Sequence, residues 1–299
     1  MMLKGFKSLM LLVFLFAATC KKEKSYEPVN ISPGVTFRTI TDLPAILAES
    51  SGIEMAGSGR FLSLNDSKGE AELYVFDTIG ELSRTISIDN GTNMDWEDLA
   101  QDDEGFIYIG DSGNNDNDRT DLKIYRIPSP ATFTGNAVSA DSISFSYENQ
   151  TQFPPPDSAS FFDSEAFFVY NDSIFLFIKD RSKPFEGKTL MYQIPAELGD
   201  HTAILKGEFK TLKTKSEGAI TSADISPSGL KVAMISKRNV WIFTDFSGTD
   251  FFGGKANVIV LPVEYQMEGV VFVDDCLLYL TNEKDGGHFS ALHRLKICE

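Results

Sequence analysis

From Val35 onward the chain alternates short apolar runs, rich in Phe, Val, Ile and Tyr, with clusters of Asn, Asp, Gly and Ser. Within the runs polar and apolar positions trade places every second residue, the period of an extended strand with two faces, so strands are expected and helices are not. Laid under one another, the runs repeat a unit. An acidic residue precedes a first strand, a turn leads to a second strand ending in a polar residue, and third and fourth strands follow. The copies open at Glu49-Ser-Ser-Gly-Ile, Trp96-Glu97-Asp-Leu-Ala, Ser164-Glu165-Ala-Phe-Phe, Ser216-Glu217-Gly-Ala-Ile and Met267-Glu268-Gly-Val-Val.

The recurring glutamates stand 48, 68, 52 and 51 residues apart. One four-stranded propeller blade takes roughly 40 to 50 residues. The longest interval contains an insertion between Pro128 and Pro156, and its Pro154-Pro155-Pro156 run is loop material. The last copy has no fourth strand of its own, while Val35-Thr-Phe-Arg-Thr-Ile is left over at the other end. Setting that strand beside the last copy closes a ring and covers an edge that would otherwise invite pairing with other chains. The expected fold is therefore all-β, a β-propeller of five blades closed by an N-terminal strand. Six blades follow if the long interval hides a further copy, and a β-sandwich is the competing architecture.

Ahead of the repeats, Lys4 and Lys7 precede an apolar run from Leu9 to Ala18 and small residues leading into Cys20, the layout of a secretory signal. The run is about ten residues long, short of the about twenty that span a bilayer. Phe16-Ala17-Ala18-Thr19-Cys20 resembles a lipobox, in which the cysteine is acylated and the chain cut before it. These features predict a signal over 1–19, a lipidated Cys20 with a polar tether over 20–33, and one propeller domain over 34–299. The protein is thus expected to be exported and anchored by lipid in the bacterial envelope, at the outer membrane.

The formal net charge is -16, and removing Lys4 and Lys7 with the signal leaves -18 (-16 minus 2). Nucleic acid is disfavoured as a partner, because phosphate affinity comes from Lys and Arg. Cations and basic partners suit the balance better, although acidic surfaces also serve plain solubility. Cys276 and Cys298 complete the cysteine inventory. If Glu283 faces Ser290 across the Gly286-Gly287 turn, residue 276 lies opposite 297, one position from Cys298. A disulfide is expected there, with two free thiols as the alternative.

Candidate chemistry is acidic. One acid per blade at the start of the first strand would bring Glu49, Glu97, Glu165, Glu217 or Asp224, and Glu268 to one mouth of the channel. Crowded carboxylates need a cation, protons, or partners such as Lys179, Lys237, Arg119 and Arg238. The densest group is Asp95-Trp96-Glu97-Asp98 with Gly110-Asp111-Ser112-Gly113-Asn114-Asn115. Ca²⁺ takes six to eight oxygens, and Asp95, Glu97, Asp98, Asp111, Asn114 and Asn115 could supply them. The same residues also suit a hairpin turn. His201, His288 and His293 show no zinc spacing, and no G-x-S-x-G elbow is present.

At Glu49-Ser-Ser-Gly-Ile, Asn65-Asp66, the Asp95 and Gly110 segments, Arg119, Asp163-Ser-Glu-Ala, Lys179, Thr221-Ser-Ala-Asp224 and Thr281-Asn-Glu283, the chain resembles a bacterial family of secreted and lipid-anchored propellers. That family is similar in architecture to phytase-like esterases, lactonase-type propellers and the SdiA-regulated group. The resemblance implies Ca²⁺ in or near the channel and a binding set of Glu49, Asp66, Glu97, Asp111, Arg119, Glu165, Lys179, Asp224, Glu268 and Glu283. Two functions follow as expectations: a binding module for a small ligand or partner protein, or a metal-dependent hydrolase of phosphoesters or lactones.

Overall fold

A computed structural model describes residues 34–67 and 69–298, with the backbone of Pro28–Val29. The expected signal, the lipidation site at Cys20 and most of the tether lie outside the described residues. After β1 (Thr36–Asp42), the strands fall in chain order into four-stranded antiparallel units. The first unit is β2 (Ser50–Met55), β3 (Arg60–Asn65), β4 (Glu72–Asp77) and β5 (Leu82–Ile88). The second is β6 (Trp96–Gln101), β7 (Ile107–Asp111), β8 (Lys123–Ile127) and β9 (Asp141–Tyr147). The third is β10 (Ser164–Tyr170), β11 (Ser173–Ile178), β12 (Lys188–Pro195) and β13 (Gly199–Lys210). The fourth is β14 (Ile220–Ile225), β15 (Val232–Ser236), β16 (Asn239–Thr244) and β17 (Lys255–Val260). The fifth is β18 (Met267–Asp274), β19 (Leu277–Asn282) and β20 (Ala291–Lys296), completed by β1, which pairs antiparallel with β20.

The packing follows from the strand period. In Ser173–Ile178, Ile174 and Leu176 point into a cluster shared with the second unit, whereas Phe175 and Phe177 point into one shared with the fourth. Both faces of these strands are buried, which is why the run is apolar without interruption. Buried apolar side chains group the same way between the first and second, fourth and fifth, and fifth and first units. Neighbouring units thus share a core all the way round, and the sheets close a ring about a central axis. The interval after Glu97 holds β9, a capping strand at Ala137–Val138 and two 3-10 turns.

Outer edges are covered as well. β9 pairs parallel with β13, joining the second and third units into one eight-stranded sheet. Ala137–Val138 caps β5, and Pro28–Val29 caps β17. In the last unit Asn282 stands opposite Ala291 and Leu277 opposite Lys296. That register brings Cys276 and Cys298 to a Cα–Cα distance of 5.1 Å, and they are disulfide-bonded. Among the described residues no helix is long and apolar enough to cross a membrane.

Candidate functional site at the channel mouth

The innermost strands β2, β6, β10, β14 and β18 share a defect. Each slips register against its second strand just after its first residue: after Ser50, Trp96, Ser164, Ile220 and Met267. A bulge of this kind adds a residue to one strand and re-aims its side chain. The residues placed there are Ser51, Glu97, Glu165, Thr221 and Glu268, so three units present a glutamate and two a hydroxyl. The next position holds Gly52, Asp98, Ala166, Ser222 and Gly269. Four of the five are small, and the strands close tightly: a Cβ at Gly52 would collide with the backbone of Asp98 and Leu99.

Asp98 fills the axis at this level. It is fully buried and accepts from Leu99 N (2.9 Å), Ser222 Oγ (3.0 Å), Ala223 N (3.3 Å) and Phe167 N (3.4 Å). Burial pushes its pKa well above the usual range, and those donors pull it back. The donors come from three units, so one carboxylate ties the ring together and divides the channel into two cups.

The near cup, about 210 Å³, is lined by Ser51, Asp66, Glu97, Asn115, Glu165, Lys179, Arg181, Gln266, Glu268 and Glu283. Lys179 Nζ lies 2.6 Å from Glu165 Oε2, and Arg181 bridges Glu165 and Asp163. Asp163 also accepts from Asn114 N at 2.5 Å. With Asp95, which groups with Asp66 and Glu97, seven carboxyls among the described residues face the two cations Lys179 and Arg181. The surplus shows in the pKa values. Burial and Glu165 push Glu97 well up; burial, Asp66 and Asp163 bring Asp95 to about 6; burial and Glu165 bring Asp163 to about 6. Burial, with Glu165 and Glu283 adding to it, takes Glu268 to about 8, and burial with Asp66 takes Glu283 to about 7. Glu97 is only 4% exposed, yet makes no hydrogen bond or ion pair among the described residues.

The far cup is larger, about 700 Å³, and lies at the opposite end of the inner strands. Its buried acids are satisfied by main chain. Asp224 accepts from Phe272 N (2.6 Å) and Ile225 N (2.7 Å), and Glu54 from Met55 N (2.6 Å). Burial raises both, Asp224 to about 7. Tyr108, Tyr170 and Arg126 form part of the wall.

No family model matches the sequence, and a search of curated proteins finds no match. Among solved structures the chain is similar to the aldose sugar dehydrogenase of Streptomyces coelicolor in its PQQ-bound form, with a TM-score of 0.52 and 11% identity over 88% of this chain and 98% of that one. A gluconolactonase of Xanthomonas campestris aligns with a TM-score of 0.44 and 13% identity over 83% of this chain and 72% of that one. The chain is a β-propeller. At such identities the likeness speaks for the fold alone.

Within this propeller, Asp66, Glu97, Glu165, Lys179, Glu268, Glu283 and Asn115 converge on the near cup, with Asp95 beside them. Glu49 is exposed at the rim, two residues ahead of the position in register with Glu97, which Ser51 occupies. Glu217 lies in a short helix, Lys215–Gly218, and Thr221 holds its place on the ring. Asp224 faces the far cup, because on an inner strand it sits three residues beyond the bulge.

The proposed metal set is split for similar reasons. Asp98 points into the axis. Asp111 accepts from Asp95 N (3.2 Å) and Arg119 Nη2 (3.1 Å), behind the cup. Asn114 Nδ2 donates to Phe162 O, and its Oδ1 accepts from Arg119 N. These residues knot the second unit to the third, the work of a turn. Gly113 has a separate role: a Cβ there would collide with Glu97 Oε1 and Asp95 Oδ2, so the glycine leaves room for the acids. Sequence reasoning missed Arg181, Asp163, Gln266 and Ser51. Arg181 was findable as a second cation two residues past Lys179; Ser51 carries no charge to betray it.

Proposed function

We propose that the near cup is a divalent-cation site, for Ca²⁺ by its all-oxygen donors, where a small lactone or phosphoester is hydrolysed. Glu97 carries the reading: a buried carboxyl without a donor, amid like charges, is costly unless a cation joins it. Asp66, Asp95 and Glu97 would hold the ion. A bound Ca²⁺ would polarise the substrate's carbonyl or phosphoryl oxygen and acidify water. Across the cup Glu268, with a pKa of about 8, is suited to take a proton from attacking water and return it to the leaving oxygen. Lys179 and Arg181 hold Glu165 and Asp163 in place and offer their remaining N–H donors to substrate oxygen.

The quinone cofactor named for the sugar dehydrogenase bears three carboxyl groups. A mouth with seven carboxyls to two cations among the described residues does not fit it. A second reading, capture of a small ligand or partner without turnover, is favoured by one observation: Lys179 and Arg181 already serve Glu165 and Asp163, which leaves few donors for developing negative charge. We place this activity outside the cytoplasm, with the protein held to the outer membrane by lipid on Cys20; Cys20→Ala should move it from the membrane to the soluble fraction.

The test is a panel of lactones and phosphoesters assayed with Ca²⁺ and with chelator. Ca²⁺-dependent opening of one class, reduced about a hundredfold or more in Glu97→Gln, is expected. Ion binding without turnover of any member would leave the capture reading.

A further inference from the structure

Two triads of carboxylates in the near cup could each hold an ion, and they share Glu97. One is Asp66, Asp95 and Glu97; the other is Glu97, Asp163 and Glu165, and in each the ligand oxygens lie within 4.8 Å of one another. Oxygens bound to one Ca²⁺ at about 2.4 Å can lie up to about 5 Å apart, so spacing admits both. Their partners separate them.

Two of the inner triad's three carboxylates, Asp163 and Glu165, are already paired with cations. Both oxygens of Glu165 accept charged donors, Lys179 Nζ at 2.6 Å and Arg181 Nη2 at 2.5 Å, and Asp163 is held by Arg181 Nε and Asn114 N. An ion there would sit against two fixed positive charges and compete for occupied lone pairs. Among the described residues no ion pair is made to the outer triad; Arg119 and Lys179 act on Asp95 and Glu97 only at longer range. Asp66 and Asp95 come from the first and second units, and Asn115 Nδ2 lies 3.3 Å from Asp95 Oδ2 at the rim. Turning that amide over presents its oxygen instead. Ser51 adds a hydroxyl to the same cup. Glu97, nine-tenths buried and without a partner among the described residues, is aimed into this space.

Resting on the cation-dependent reading above, we propose that one divalent ion binds the outer triad Asp66–Asp95–Glu97, with Asn115 and Ser51 at its side, and that Lys179 and Arg181 take the place of a second ion at the inner triad. The built-in cations thereby set the stoichiometry at one and fix which side of the cup carries the ion.

Terbium tests this without reference to turnover, because Trp96, adjacent to Glu97 and fully buried, can sensitise its emission. The full chain should give saturable Tb³⁺ luminescence, displaced by Ca²⁺, with one ion bound. Asp66→Asn should weaken binding by about a hundredfold, the upper end of what losing a metal-site partner costs, and Asp163→Asn, which acts on the triad only through its charge, should weaken it far less. Asp95→Asn provides the same reading from a different unit if Asp66→Asn does not fold. Lys179→Met should raise the count to two. Equal loss in Asp163→Asn, or binding indifferent to Asp66 and Asp95, would overturn the assignment. Absence of any Tb³⁺ or Ca²⁺ binding would sink the cation-dependent reading as well, whereas an ion at the outer triad without hydrolysis sinks only the reaction.

Discussion

The two ends of the channel treat buried carboxylates in opposite ways. At the far cup Asp224 and Glu54 accept main-chain N–H groups, and on the axis Asp98 accepts four donors. These acids hold strands together. At the near cup the carboxyls crowd one another, two cations serve some of them, and Glu97 has no paired donor among the described residues. The larger volume is therefore not the better site. A cavity whose acids are satisfied by backbone has little left to offer a ligand, whereas the small cup has unspent acceptors in a low-dielectric setting.

Breaking the comparison at its strongest point means removing Asp98. Asp98→Ala leaves Ser222 Oγ and three amides without an acceptor, and orphaned buried donors cost about 1–3 kcal/mol each, so a loss of about 3 kcal/mol or more is expected in urea unfolding. Its neighbour should behave in the other sense: Glu97→Gln in chelator should leave stability unchanged or raise it slightly, since it replaces a carboxyl whose ionisation burial and Glu165 already disfavour. A large loss in Glu97→Gln would mean that the near cup is also a structural device.

Next in size is the disulfide at the far end of the last unit. Replacing Cys276 and Cys298 by Ser should cost about 2–4 kcal/mol through release of the unfolded chain. Ca²⁺ affinity should stay the same, because the near cup is built at the other end of the strands; a parallel loss of affinity would couple the two ends.

The pH response sharpens the contrast further. In chelator the near-cup acids titrate above their ordinary values, Asp95 and Asp163 at about 6, Glu283 at about 7 and Glu268 at about 8. The folded state then binds more protons than the unfolded chain, so their contribution is whole at acidic pH and lost as pH rises through that window. Melting temperature in chelator should fall from about pH 5 to about pH 8, and saturating Ca²⁺ should remove most of the slope. A slope of the opposite sign would contradict the protonation pattern. The smallest effect is expected at the far cup, where Glu54→Gln should change stability by less than about 1 kcal/mol and leave Ca²⁺ binding alone.

Much of the scaffold was legible because its signals are local. A period of two marks the strands, and the Gly286-Gly287 turn fixes the register that unites Cys276 with Cys298. The site was half legible. Glu97, Glu165 and Glu268 repeat because the bulge repeats, but on the first and fourth units the bulge carries Ser51 and Thr221, and the nearest glutamates, Glu49 and Glu217, are decoys. Glu97 and Asp98 look alike in sequence. Only the slipped register sends one to the mouth and its neighbour into the axis. Asp111 and Asn114 belong to a loop whose hydrogen bonds reach the next unit, and no local pattern distinguishes such a knot from a metal loop.

Everything turns on whether the acceptors of the near cup are kept for a cation. Calorimetric titration of the chelator-treated full chain with Ca²⁺, at about pH 6 and about pH 8, measures this directly. One ion should bind, more tightly at the higher pH and with release of protons to the buffer at the lower, and Glu97→Gln should abolish the heat. Absence of heat in the unaltered protein, or binding that ignores both pH and Glu97, would contradict the account.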